Sequence, residues 1–365
     1  MNAERKYGLD VIKIAATILI IFHHYQQVTG VTFDGINFWD GKFAFGYVVE
    51  LFFVISGYVI YPYIDKINEK GIRLSEFYIN RFIRLFPMVL ITAIAYELVL
   101  YIYVCGMGRD WFGMQPTLWG TIIDCMMIQC GWGFANPGVN NPTWYVSVLM
   151  LCYVIFYVLV CIAKKCKFDV IYLFIMMLLL GVGVHTYSLE LPLLNSDTYR
   201  GFYSFFWGLI LRRVMPIIQK SIMKHKYVSI FIGIAILSVV PLLLHTEHVT
   251  VAHDVNYVIT FVYYSVIICL FEMPQVIHLF KYSFLKVLCE ISFNVYLWHI
   301  TLLIATHTVA EILFEGQIGF LYSYRAMFLF TMGSFVWGGI SYYLIEKPIV
   351  SQIKKRRQYE QKNNK

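Results

Sequence analysis

Residues 9–28 read LDVIKIAATILIIFHHYQQV. As a helix rising 1.5 Å per residue this stretch would be about 30 Å long, the thickness of a bilayer's hydrocarbon core. It is too long for the apolar part of a signal peptide, carries Asp10, Lys13, His23 and His24, and offers no small-residue cleavage site. It is therefore expected to stay in the mature protein as a membrane span. Comparable apolar runs follow near 43–63, 86–105, 117–131, 144–163, 168–187, 200–214, 227–245, 256–272, 287–308 and 321–345.

Composition agrees with that pattern. The chain of 365 residues is 59% hydrophobic and only 14% charged, against roughly 25% charged for a soluble domain. Too little polar side chain remains to coat a water-facing surface, so lipid must solvate much of the molecule. The formal charge of +7 comes from short clusters between the apolar runs, which excludes a nucleic-acid binder built on a long basic stretch. The eight cysteines are scattered, without a Cys-x-x-Cys pair or zinc spacing, and read as small buried hydrophobes. No metal site is expected; His245, Glu247, His248, His253 and Asp254 match no ligand spacing and read as a solvated loop.

Lys and Arg accumulate on the cytoplasmic side of membrane proteins. With the N-terminus inside, all but five of the 29 Lys and Arg fall in cytoplasmic connections, the exceptions being Lys13, Lys42, Arg109, Arg200 and Arg325. This holds only if 117–131, short and interrupted by Asp124, is re-entrant or interfacial. The expectation is an all-α bundle of ten transmembrane helices with both termini cytoplasmic, in one domain over 1–365 that ends in a basic tail at 346–365.

Ionisable groups inside a bilayer are costly, so each invites a functional reading. Lys13 and His24 share a face of the first helix about 16 Å apart along its axis. An imidazole at that depth can take a proton from a hydroxyl near neutral pH; a histidine satisfied by a neighbouring helix is the structural alternative. Glu50 precedes Phe52-Phe53-Val54-Ile55-Ser56-Gly57-Tyr58, in which Ser56 and Gly57 permit close helix approach. Arg81 and Arg84, at i and i+3 before Pro87, can hold phosphates or anchor the chain at lipid headgroups. Pro87 is expected in the first turn of the next span. Trp144 opens an outer helix start, while Asn294 and His299 are polar groups that need partners.

In this order the motifs resemble the acyltransferase 3 family of integral membrane O-acyltransferases, over nearly the whole chain. The resemblance rests on Asp10, Lys13 and His24, on residues 52–58, on Arg81-x-x-Arg84-x-x-Pro87, on Tyr296-Leu297-Trp298-His299 and on Glu346-Lys347-Pro348. Lys13 stands where the family usually has Arg, and Leu149 where many members have Glu. The resemblance implies His24 as catalytic base with Lys13 beside it, and Arg81 and Arg84 as contacts to an acyl-CoA donor. Asp10, Glu50, Ser56, Trp144, Asn294 and His299 are candidates to line the site. No bound cofactor is implied, acyl-CoA being a substrate. The implied acceptor is a hydroxyl of an envelope carbohydrate or glycolipid, with acetyl or succinyl as the acyl group, in the inner membrane. Transfer then finishes here or passes to a separate envelope-assembly partner protein. The rival reading is a transporter or exporter of a glycan or lipid; against it stands the lack of paired broken helices.

Overall fold

The computed structural model describes residues 7–30, 37–39, 45–132, 141–245 and 256–363. Among them the chain is helical throughout, with isolated bridges only at Trp111 with Met114 and Leu191 with Leu194. The stretch Glu247–Asp254 lies outside the described residues.

The helices are α1 (Tyr7–Thr29), α2 (Val48–Ile60), α3 (Tyr63–Lys70), α4 (Leu74–Met107), α5 (Leu118–Cys125), α6 (Trp144–Cys166), α7 (Ile171–Tyr187) and α8 (Tyr199–Lys224). They continue as α9 (Lys226–His245), α10 (Asn256–Val258), α11 (Tyr264–Phe271), α12 (Pro274–Ile277), α13 (Ser283–Leu313), α14 (Tyr324–Ser341) and α15 (Lys347–Asn363). Two π-helical turns, Ile259–Tyr263 and Tyr342–Glu346, join α10 to α11 and α14 to α15. Among the described residues six helical stretches are long and apolar enough to cross a membrane: Tyr7–Thr29, Phe45–Lys70, Leu74–Met107, Trp144–Cys166, Ser283–Leu313 and Tyr324–Arg357.

Two sequence expectations meet the structure differently. α4 starts at Leu74, so Pro87 lies inside the helix rather than in its first turn. The basic stretch before the apolar run continues the helix backwards, and Glu76 in the first turn complements the helix dipole. α8 likewise runs past 214, through Pro216, to Lys224. Within 117–131 only the eight residues of α5 are helical, about 12 Å of helix and too short to span. Its face splits: Leu118, Trp119, Ile122 and Met126 are exposed, whereas Thr121, Ile123 and Asp124 are buried. Of the cysteines, Cys105 and Cys166 are exposed and Cys125, Cys130, Cys152 and Cys269 buried; all are free thiols.

The chain forms two compact units, Met1–Gly71 with Phe156–Cys289, and Ile72–Ile155 with Glu290–Lys365. In the first, α2 lies against α8 at backbone contact. A Cβ on Gly57 would sit 2.0 Å from the Phe205 carbonyl oxygen, and one on Gly208 2.1 Å from that of Val54. Hydrophobic driving force between helices is weak in lipid, so such close approach is how they gain dispersion energy. Phe156 stacks on Phe174, which packs at a tilt against Phe206, joining α6, α7 and α8.

In the second unit, Arg109 just past α4 grips Glu311 near the end of α13 through both carboxylate oxygens at 2.7 Å. Trp111 packs edge-on against Tyr103 and His307. α15 returns beside the start of α4, where the Arg357 guanidinium donates to Asn80 Oδ1 at 2.8 Å.

Candidate functional site

The first unit carries the histidine pair. His23 and His24 are consecutive, half-buried and edge-to-face at 4.9 Å between ring centres. Their hydrogen bonds differ in kind. His23 Nδ1 meets the Phe38 carbonyl at 2.8 Å, and the ring lies over Gly46. His24 Nδ1 meets Gln27 Oε1 at 2.9 Å. Both oxygens only accept, so each Nδ1 carries the proton and each Nε2 the basic lone pair. His23 is thereby tied to the loop after α1, while His24 is steadied by a side chain one turn along its own helix.

Towards the other end of α1, Lys13 is half-buried and its carbonyl accepts from the Thr17 hydroxyl at 2.9 Å. Asp10 is buried and accepts from the Cys289 thiol at 3.1 Å. Glu50 has 0% exposure and receives Arg200 Nε at 2.6 Å and Nη2 at 2.9 Å, with the Tyr203 hydroxyl at 3.1 Å. Arg200 Nη2 also donates to the Gly46 carbonyl at 2.8 Å. The ion pair thus holds the same backbone that supports the His23 ring. Ser56 is half-buried on α2, next to the Gly57 contact with α8.

The second unit carries the arginines, and they diverge. Arg81 folds back: its Nη1 donates to the Phe77 carbonyl at 2.6 Å, and the guanidinium lies 3.6 Å over the Phe77 ring and 5.2 Å from that of Tyr153. Arg84 is exposed, and its charge acts on Tyr342 and Glu346 in the π turn. Asn294 joins that turn to α13. Its amide nitrogen donates to Glu346, its oxygen accepts from Ser341 Oγ at 3.1 Å, and Ser341 Oγ accepts from Trp298 Nε1 at 2.9 Å. His299 is fully buried, with Nδ1 2.5 Å from the Tyr296 carbonyl.

Trp144 begins α6 and is half-buried. The turn before it is clasped to the segment after α5. Gln129 Nε2 donates to Asp124 Oδ1 at 2.6 Å and to Thr143 Oγ1 at 2.7 Å, and the Thr143 hydroxyl donates to the same Asp124 oxygen. Ser147 Oγ donates to the Cys130 carbonyl at 3.1 Å. Tyr296 reaches this turn through its hydroxyl, 2.8 Å from the Pro142 carbonyl.

Each unit therefore gathers some of the sequence candidates: Lys13, His24, Asp10, Glu50 and Ser56 in the first, Arg81, Arg84, Trp144, Asn294 and His299 in the second. Sequence reasoning assigned no role to Arg200 or Gln27. Arg200 counted only as an outward charge, and Gln27 carried no signal beyond its i+3 spacing from His24.

No curated protein and no solved structure matches the chain. The family model of the acyltransferase domain, acyltransferase 3, matches residues 6–345 and so takes in both units. With its apolar helices, this makes the protein a multi-pass membrane acyltransferase. The chain belongs to the acyltransferase 3 family.

Proposed function

We propose that the protein transfers an acyl group, acetyl in the first instance, from acyl-CoA to a hydroxyl of a cell-envelope carbohydrate or lipid-linked glycan. The observation that carries this reading is the His24–Gln27 hydrogen bond, which leaves the basic lone pair on Nε2. His24 Nε2 takes the hydroxyl proton as the acceptor oxygen attacks the thioester carbon. The carbon–sulfur bond then breaks, and the CoA thiolate leaves with the proton returned by the imidazolium. Arg81 and Arg84 hold phosphates of the donor, and Lys13 supplies positive charge on the His24 helix. Asp10, Glu50, Ser56, Trp144, Asn294 and His299 shape and brace the surroundings. No cofactor takes part.

The same reading places the chain in the inner membrane as a single domain of ten spans, with both ends cytoplasmic. The four beyond the six long apolar stretches are α7, α8, α9 and the stretch from Asn256 to Phe271. The partition of Lys and Arg supports it, as does α5, whose eight residues drop 117–131 from the spans.

The test is to incubate purified protein in lipid with labelled acetyl-CoA and envelope extract, then identify what becomes labelled. An acylated glycan made by the wild type and not by His24→Ala supports the reading. Equal labelling by both removes His24 from the chemistry.

A further inference from the structure

α15 lies beyond the region matched by the family model, which ends at residue 345. It is the most basic helix of the chain: Lys354, Lys355, Arg356 and Arg357 follow one another, with Lys347 at its start. A solvated tail with no role would have no reason to dock. This one packs against α4, and Arg357 reaches Asn80 Oδ1 at 2.8 Å, one turn before Arg84.

That docking gathers like charges. Arg84 from α4 and Lys354 from α15 both act on one carboxylate, Glu346, which hydrogen-bonds to Asn294 and sits in the π turn Tyr342–Glu346. Arg84 and Lys354 are exposed, and Arg357 is half-buried. Two carboxylates, Glu346 and Glu290, face the π turn with these three cations. The surplus is positive, and phosphate groups suit guanidinium and ammonium donors.

The π turn explains how the arrangement is held. Pro348 has no N–H, and its ring crowds the carbonyl four residues back, so the helix widens just before it. The widened turn carries Glu346, and α15 leaves it along α4.

We propose that α15 and α4 form a phosphate clamp in which Arg84, Lys354 and Arg357 grip a phosphate-bearing ligand: the nucleotide end of the donor, or a lipid headgroup. The donor arm rests on the acyl-CoA reading above, with α15 extending the grip of Arg84 outside the family domain. The lipid arm does not depend on that reading.

The experiment uses the full chain in lipid nanodiscs. Binding of CoA and of 3′-dephospho-CoA is measured in phosphatidylcholine discs, and retention of phosphatidylglycerol is measured in mixed discs, for wild type, Lys354→Gln and Lys354→Arg. Lys354 is exposed and takes no part in the Arg357–Asn80 bond, so its exchange leaves that bond in place. The expected result is an affinity about tenfold higher for CoA than for the dephospho form in wild type, the worth of one charge-assisted contact. Lys354→Gln should lose most of that preference and Lys354→Arg keep it. If Lys354→Gln instead lowers only phosphatidylglycerol retention, the clamp stands and the phosphate it holds is a headgroup. Wild type that binds no CoA would sink the acyl-CoA donor, and the lipid arm would then decide the clamp. Unchanged behaviour of Lys354→Gln in both arms overturns the proposal.

Discussion

Arg200 closes on Glu50 across 150 residues of sequence with a two-pronged grip, Nε on one carboxylate oxygen and Nη2 on the other. The carboxylate has no exposed surface, so its charge is balanced wholly by groups packed around it. In the bilayer, desolvation makes such a pair costly to assemble and more costly to break. Its value is positional: the same guanidinium holds the Gly46 carbonyl, and Gly46 lies under the His23 ring.

Removing one partner should therefore hurt more than removing both. Glu50→Ala is expected to lower stability by about 3–5 kcal/mol, the cost of an uncompensated buried charge. Glu50→Ala with Arg200→Ala should recover part of that loss. Thermal unfolding in detergent, run as a double-mutant cycle, reads the coupling; equal and additive losses would show that the pair contributes no joint stabilisation.

The two histidines should behave unlike each other. His24→Ala is expected to cut acyl transfer by about 10²–10⁴ with folding intact, as loss of a general base does. His23→Ala should lower stability through its lost bond to Phe38 and keep more of the activity. Gln27→Ala, which frees the His24 tautomer, should reduce turnover while leaving the unfolding temperature near wild type. Turnover of Gln27→Ala equal to wild type would show that this bond does not set the basic nitrogen.

At the contact of α2 with α8, Gly57→Val and Gly208→Val each put carbon where a carbonyl oxygen now sits. Backbone cannot yield as a flexible side chain does, so both variants should be recovered as misfolded or aggregated protein. Size-exclusion profiles of fluorescent fusions give the readout. Ser56→Ala, one residue away, should elute as wild type.

Thr143→Val takes away a donor to Asp124 and an acceptor for Gln129 inside a buried clasp. A loss of about 1–3 kcal/mol is expected from the groups left unsatisfied. Thr143→Ser keeps the hydroxyl and should restore most of it. The same unfolding assay separates the two, and a Val variant as stable as wild type would show that the hydroxyl's bonds give no net stabilisation.

Much of the fold was legible because helix length and bilayer thickness are linked by geometry. The run at 9–28 is inside α1, and the break of apolar pattern at Asp124 marks a helix that stops after eight residues. Hydropathy misplaced boundaries where a helix continues into polar and charged residues, as before Pro87 and from Met215 to Lys224. The ion pair of Glu50 was invisible for a different reason. Arg200 sits in a stretch read as an outward connection, and nothing local points 150 residues back. Arg81 and Arg84 show the limit of spacing: i and i+3 put them on neighbouring flanks, and the aromatic rings of Phe77 and Tyr153 then draw one of them aside.

From Tyr324 to Asn363 the chain is helical without interruption, through the widened turn Tyr342–Glu346. At 1.5 Å per residue it is about 60 Å long, twice the hydrocarbon thickness it has to cross. That helix is pinned at two places, by Arg357 on Asn80 and by Ser341 and Glu346 on Asn294, so the two contacts share one covalent lever.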